Sequence, residues 1–73
     1  MEEYSRIHIE QYCMTHTSTK KSKFLQELVK LSYDVECEPE EKVALQLGAY
    51  INQEKDEELR EALEDLDAFL FGY

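Results

Sequence analysis

Glycine, proline and long apolar runs are scarce in this chain of 73 residues. It has two glycines and one proline, which excludes the glycine-rich loops that bind phosphates or dinucleotides, because those loops need several glycines within a short span. No stretch approaches the roughly 20 apolar residues that cross a bilayer. The N-terminal sequence MEEY has neither the basic flank nor the apolar core of a signal peptide. We therefore expect a cytoplasmic protein that makes no membrane contact.

Basic residues are also few, since 8 lysines and arginines stand against 17 aspartates and glutamates and give a formal net charge of -9. Each contact with a nucleic-acid phosphate needs a lysine or arginine, so this balance argues against direct nucleic-acid binding. Hydrophobic residues make up 42% of the chain, which is enough for a small folded core. We expect one small helical domain over residues 1–73 that binds another macromolecule.

The charge is divided unevenly along the chain. Residues 1–33 carry a net charge of +1 and residues 34–73 carry -10. Such a division concerns partners and self-association more than fold. A core this small rarely stabilises a chain alone, and natural domains of this size add disulfides, metals or a second subunit. We therefore predict a homo-oligomer, most simply a dimer.

The N-terminal segment fits neither regular pattern cleanly. On a helix its apolar residues form two opposed groups, Tyr4, Ile7 and Met14 against Ile9, Tyr12 and Cys13, so there is no single amphipathic stripe. On a strand, Ile7, Ile9 and Cys13 share one face. The alternation favours a short strand followed by a loop, together covering residues 1–18.

Three helices are predicted after this segment. The first covers 19–33, with Ser18 or Thr19 as its cap and with apolar residues at helical spacing: Phe24, Leu25, Leu28, Val29 and Leu31. The second covers 39–52, because Pro39 suits the first position of a helix. The third covers 56–71, capped by Asp56 and ended by Gly72. Its predicted core side is the apolar stripe Leu59, Ala62, Leu63, Leu66, Phe69 and Leu70. The predicted fold class is mainly α, a small three-helix bundle with a short N-terminal strand.

Two segments admit a second interpretation. Tyr33, Val35 and Cys37 alternate with acidic residues, as in a short strand or an extended loop. A break near residues 52–55 is predicted because no apolar residue occurs from Asn52 to Glu58. The alternative is one continuous helix from Pro39 to about Leu70, roughly 48 Å long, which would need a dimer partner.

Cysteine and histidine are limited to two residues each, which restricts metal and covalent chemistry. The candidate metal ligands are His8, Cys13, His16 and Cys37, of which only Cys13 and His16 have the close spacing typical of zinc sites. Reduced thiols are expected rather than a Cys13–Cys37 disulfide. No nucleophile has a recognisable base and oxyanion donors beside it. We predict that the protein is not an enzyme and holds no cofactor and no metal.

The third predicted helix and the residues just before it carry the densest charge. Eight carboxylates lie within fourteen residues: Glu54, Asp56, Glu57, Glu58, Glu61, Glu64, Asp65 and Asp67. This is about one per 2.6 Å of helix axis, whereas duplex DNA carries one charge per about 1.7 Å counting both strands and 3.4 Å per strand. The ordinary explanation of such a face is solubility.

The functional hypothesis is an inhibitor or modulator that binds a basic surface of a partner protein, like the small regulators and nucleic-acid mimics of phages and bacteria. The residues assigned to this contact are Glu54, Glu57, Glu58, Glu61, Glu64 and Asp65. Phe71 and Tyr73, near an unusually apolar chain end, are predicted to be exposed anchors in the same interface.

A basic patch on the first predicted helix consists of Lys20, Lys21, Lys23 and Lys30. Its ordinary explanation is the polar side of an amphipathic helix. The alternatives are a contact with an anion, or pairing with the acidic helix of a second copy in a head-to-tail dimer.

Two other functions fit the same elements. The order strand, helix, helix resembles that of the ribbon-helix-helix DNA-binding dimers. That resemblance implies an N-terminal strand that pairs with its twin and directs Arg6, His8 and Glu10 toward DNA. The other alternative is an antitoxin, immunity or chaperone-like subunit whose partner covers Phe71 and Tyr73.

Overall fold

The computed structural model describes residues 2–33 and 40–72, and these two ranges contain four α-helices and no strand. Helix α1 covers Glu3–Thr15, α2 covers Lys20–Ser32, α3 covers Glu41–Gln53 and α4 covers Glu57–Phe71. The prediction of a mainly α fold is therefore confirmed. No helix in the described part of the chain is both long enough and apolar enough to cross a membrane.

The predicted N-terminal strand is wrong, and with it the count of three helices. Residues 3–15 form α1, in which Ile9 and Cys13 are buried while Tyr4 and Met14 remain exposed. The apolar group that contains Ile9 and Cys13 is therefore sufficient to hold a helix in place, because α1 packs against both α2 and α4. Tertiary packing decided between two weak local patterns.

The other three helices begin and end within two residues of their predicted bounds. The Thr19 side chain caps α2 by accepting a hydrogen bond from the Ser22 amide at 3.1 Å. Gly72 ends α4 in the left-handed region, with φ of 78°, where a residue without a Cβ atom is strain-free. Because α3 ends at Gln53 and α4 begins at Glu57, the alternative of one continuous helix is excluded.

Helix α4 is the central element, since it packs against each of the other three. It contributes Leu59, Ala62, Leu63 and Leu66 to a core that α1, α2 and α3 complete. From those helices come Ile9, Cys13, Leu25, Leu28, Val29, Leu47 and Ile51. Each fully buried leucine stabilises the fold by about 1.5 to 3 kcal/mol relative to an exposed one, so the inner side of α4 makes a substantial contribution to stability.

A reciprocal pair of hydrogen bonds joins α1 to α2. The Cys13 thiol donates to the Ser22 carbonyl at 3.6 Å, and the Ser22 hydroxyl donates to the Cys13 carbonyl at 3.3 Å. Both side chains are buried, and these bonds satisfy polar groups whose burial would otherwise be costly.

Val35, Cys37, Pro39 and Tyr73 lie outside the described residues, so the structure does not test the predictions that concern them.

Candidate functional site

The outer side of α4 is the candidate site, and its position follows from helical periodicity. Leu59, Leu63 and Leu66 are spaced three and four residues apart and are buried, so they define the side of α4 that faces the core. The acidic residues between them must lie on the other side. The exposed carboxylates of the helix, named here the acidic face, are Glu57, Glu58, Glu61 and Glu64.

The acidic face is short and dense. Its four carboxylates occupy eight residues, about 12 Å of helix, or one charge per roughly 3 Å of axis. A single DNA strand carries one phosphate per about 3.4 Å. Arg60 is exposed within the same eight residues and reduces the net charge of the segment from -4 to -3.

Most of this charge has no partner in the part of the chain that the structure describes. Among residues 2–33 and 40–72, Glu57, Glu61 and Glu64 have no cationic side chain within 4.0 Å. The Oε2 atom of Glu58 lies 3.9 Å from Nε2 of His8, a contact that becomes an ion pair only when the imidazole is protonated. Like charges three or four residues apart on a helix repel by a few tenths of a kcal/mol, so the face is not explained by stability.

Glu54 does not belong to this surface, contrary to the sequence prediction. Its side chain is only 11% exposed and forms an ion pair with Lys21, from α2. One carboxylate oxygen also accepts a hydrogen bond from the Asp56 amide at 3.1 Å. Burial alone would raise the pKa of Glu54, but the Lys21 hydrogen bond and the amides of Asp56 and Lys55 outweigh it and lower that pKa. Glu54 is therefore a structural residue at the junction of α3 and α4.

Lys21 likewise does not belong to the predicted basic patch. Its ammonium group lies 5.0 Å from the centre of the Tyr12 ring and 6.0 Å from that of Tyr50, which are cation–π contacts. The tilted rings of Phe24 and Tyr50, 5.3 Å apart, extend the same cluster. The Lys21–Glu54 pair spans 33 residues of sequence, so no local pattern could have revealed it.

The three aspartates near the acidic face are also hydrogen-bonded or half-buried within the fold. Asp56 caps α4 by accepting from the Glu58 amide at 3.1 Å. Asp65, predicted to bind the partner, accepts from the Glu2 amide at 3.1 Å and is half-buried. Asp67 is half-buried too, and burial, with a smaller effect of Glu64, raises its pKa. Of the eight carboxylates in the sequence pattern, four are exposed on α4.

The aromatic anchor near the chain end is a different residue from the one predicted. Phe71 is half-buried and packs against the core, because the last turn of α4 still lies on α4's neighbours. Phe69, which the sequence pattern assigned to the core, is 49% exposed. Tyr73, the other predicted anchor, lies outside the described residues.

The thiol of Cys13 has a structural role. Burial raises its pKa, as does the charge of Glu10, and the hydrogen bond with Ser22 offsets only part of this rise. A raised thiol pKa means less thiolate and lower reactivity. Within the described residues, no three His, Cys, Asp or Glu side chains are arranged to hold one metal ion.

The ribbon-helix-helix interpretation loses its structural basis. Arg6, expected on a DNA-contacting strand, instead lies on α1 with its guanidinium 3.6 Å from Glu3 and 4.0 Å from Glu10. The same group lies 5.7 Å from the centre of the Tyr33 ring. A helix that is packed on α2 and α4 in this way offers no N-terminal strand for the major groove.

Comparison with known protein families, with characterised protein sequences and with solved structures finds no significant match to this chain. The chemistry of the side chains is therefore the basis on which a function can be proposed.

Proposed function

We propose that this protein is a small non-enzymatic modulator that acts in the cytoplasm by binding a basic surface of another protein through the acidic face of α4. The observation that supports the proposal is that Glu57, Glu61 and Glu64 are exposed and have no cation within 4.0 Å in the described residues. Their mutual repulsion brings the fold no benefit, so complementary charge on a partner is the interaction they suit.

The rigidity of α4 also supports binding. The helix packs against three others and is capped by Asp56 and Gly72, so its outer carboxylates hold a constant spacing. A preorganised array loses little conformational entropy when a partner binds. Opposite charges also accelerate the encounter of two proteins, most strongly at low ionic strength.

The proposed partner is a protein that ordinarily binds nucleic acid. The carboxylate spacing on the acidic face, about 3 Å of axis per charge, approaches the 3.4 Å spacing of phosphates along one DNA strand. A groove lined with lysine and arginine for phosphates would therefore accept this face. Binding there would inhibit by occupying the nucleic-acid site, as phage and bacterial nucleic-acid mimics do.

The experiment compares two variants of equal net charge. Glu57→Lys, Glu61→Lys and Glu64→Lys together reverse the acidic face, whereas Glu3→Lys, Glu27→Lys and Glu41→Lys reverse three exposed glutamates elsewhere. Each immobilised protein is used to capture partners from a lysate of its source at about 50 and about 500 mM NaCl.

We expect the acidic-face variant to bind the captured protein about 10- to 100-fold more weakly at low salt, since three interface charge pairs contribute about 0.5 to 1 kcal/mol each. The control variant should bind like the unmodified protein. Addition of nucleic acid should release the partner if the proposed class is correct. Equal capture by the acidic-face variant and the unmodified protein would contradict the proposal.

A further inference from the structure

A groove between α1 and α2 is a second candidate surface, separate from the acidic face. It encloses about 450 Å³, within the range of about 300 to 1,000 Å³ that is usual for binding sites. The buried Cys13 and Val29 lie at its base, while Met14 and Tyr33, 75% and 61% exposed, lie at its rim. Its lining is largely apolar, so it suits an apolar side chain.

The α2 side of this groove carries a net charge of +1, because the exposed Glu27 lies between the exposed Lys23 and Lys30 on the same side of the helix. Lys30 lines the groove, and Lys23 lies two turns earlier on the same exposed side of α2. Neither lysine has a carboxylate within 4.0 Å among the described residues. Glu10, the acidic residue of the lining, lies 4.0 Å from Nε of Arg6, so its charge is partly balanced. An apolar groove with a basic rim favours an acidic segment that carries an apolar anchor.

We propose that the occupant of this groove is the C-terminal end of α4 from a second copy of the chain, with Phe69 as the anchor. Phe69 is half-exposed and follows Asp65 and Glu61 at four-residue intervals, so all three lie on one side of α4. Residues 2–33 carry a net charge of +1 and residues 40–72 carry -7. Each copy has a net charge of -9, so two copies repel overall, but the uneven distribution favours the orientation in which α1 and α2 of one copy meet α4 of the other.

The contact is head-to-tail, because Phe69 is not among the residues that line the groove and the two copies therefore contribute different patches. Such contacts close into rings or extend as chains, depending on the rotation between copies. One aromatic anchor and a few ion pairs bury less than the roughly 800 Å² per partner of a standard stable interface. The association should therefore be weak, dependent on concentration and sensitive to salt. Glu61 belongs to the acidic face, but this inference stands without the proposed function, because the occupant here is a second copy of the chain and the groove itself contains no residue of that face.

The test is sedimentation velocity of the full chain over a range of concentrations at low and high salt. The groove variant combines Met14→Glu with Lys30→Glu, and the anchor variant is Phe69→Ser; the three altered residues are exposed. The matched control is Leu45→Ser, which changes a leucine of α3 that is 72% exposed. Circular dichroism checks that each variant keeps its helices, and Lys30→Glu alone replaces the double variant if that one does not fold.

We expect the unmodified protein and the Leu45→Ser control to associate, and each of the other two variants to remain monomeric at the same concentrations. An equimolar mixture of the groove and anchor variants should form a dimer, because the pair contains one intact groove and one intact Phe69. A monomeric unmodified protein, association of either variant at unmodified strength, or a mixture that stays monomeric would each overturn the inference.

Discussion

The two sides of α4 differ in what surrounds them. On the inner side, Leu63 and Leu66 are fully buried among the other helices. On the outer side, Glu61 and Glu64 are exposed with no cation nearby in the described part of the chain. Glu54, three residues before the helix, is instead largely buried and forms an ion pair with Lys21. The role of a carboxylate here depends on what faces it, not on how many acids surround it in sequence.

Truncation of the inner side should have the largest effect on stability. Leu63→Ala removes a fully buried side chain and leaves a cavity, so we expect the free energy of unfolding to fall by about 2 to 5 kcal/mol. For a domain this small that is a large share of the total. Urea denaturation followed by circular dichroism measures it. Leu45→Ala, on an exposed leucine of α3, should change the value by less than about 0.5 kcal/mol, and a loss at Leu45 as large as that at Leu63 would contradict the described core.

Loss of the partly buried ion pair between Lys21 and Glu54 should have the next largest effect. Lys21→Met leaves the carboxylate of Glu54 nearly buried without its cation, which should destabilise the fold by about 1 to 3 kcal/mol. Because the pKa of Glu54 is lowered in the folded protein, its contribution is present above the unfolded pKa of about 4.3 and is lost as the pH falls through the folded pKa.

Urea titrations at several pH values measure this effect. The stability difference between the unmodified protein and Lys21→Met should shrink as the pH falls below about 4.3. Lys23→Met removes an exposed lysine of the same helix and should have little effect. Equal losses for the two lysine variants would show that the Lys21–Glu54 pair does not contribute to the fold.

Asp67 lies between the two sides of α4 and should respond to pH with the opposite sign. Its pKa is raised, chiefly by burial, and its Oδ1 atom has no hydrogen-bond partner among the described residues. The stability associated with its protonation is fully present below the unfolded pKa of about 3.9 and is lost as the pH rises through the higher folded pKa.

Asp67→Asn should therefore stabilise the protein at neutral pH, by about 0.5 to 1 kcal/mol, and have little effect below about pH 3.9. Thermal unfolding at several pH values tests this. A stabilisation of equal size at all pH values would point to a cause other than the carboxylate charge.

A change on the acidic face should affect stability least. Glu61→Gln removes one exposed charge from a repelling series and should raise stability by about 0.2 to 0.5 kcal/mol. The same substitution should weaken binding to the proposed partner. A stability loss above about 1 kcal/mol on urea denaturation would show that Glu61 has a structural partner and belongs with Glu54.

Local sequence patterns predicted the helices that have one clear apolar stripe. The stripe of Leu59, Leu63 and Leu66, with Asp56 before it and Gly72 after it, located α4 to within a residue or two. The local pattern did not predict α1, because its apolar residues support a strand as well as a helix and only contact with α2 and α4 decides between them. It also placed Phe69 in the core and Phe71 outside, although the last turn of α4 has the reverse exposure.

The sequence predicted which side of α4 is acidic, but not which of the eight carboxylates are exposed there. Acidic residues that alternate with a leucine stripe must face solvent, which identified Glu57, Glu61 and Glu64. Glu54 was wrongly included because its cation comes from α2, 33 residues earlier in the chain.

The amino-acid sequence by itself determined the class of fold, the uneven division of charge and the side of α4 that is acidic, since each follows from composition or from a periodicity of a few residues. Only the tertiary structure decided that residues 3–15 are helical, that Lys21 neutralises Glu54 and that an apolar groove with a lysine rim lies between α1 and α2. These features depend on which side chains meet across the core, and burial and charge pairing between distant residues leave no local trace in sequence.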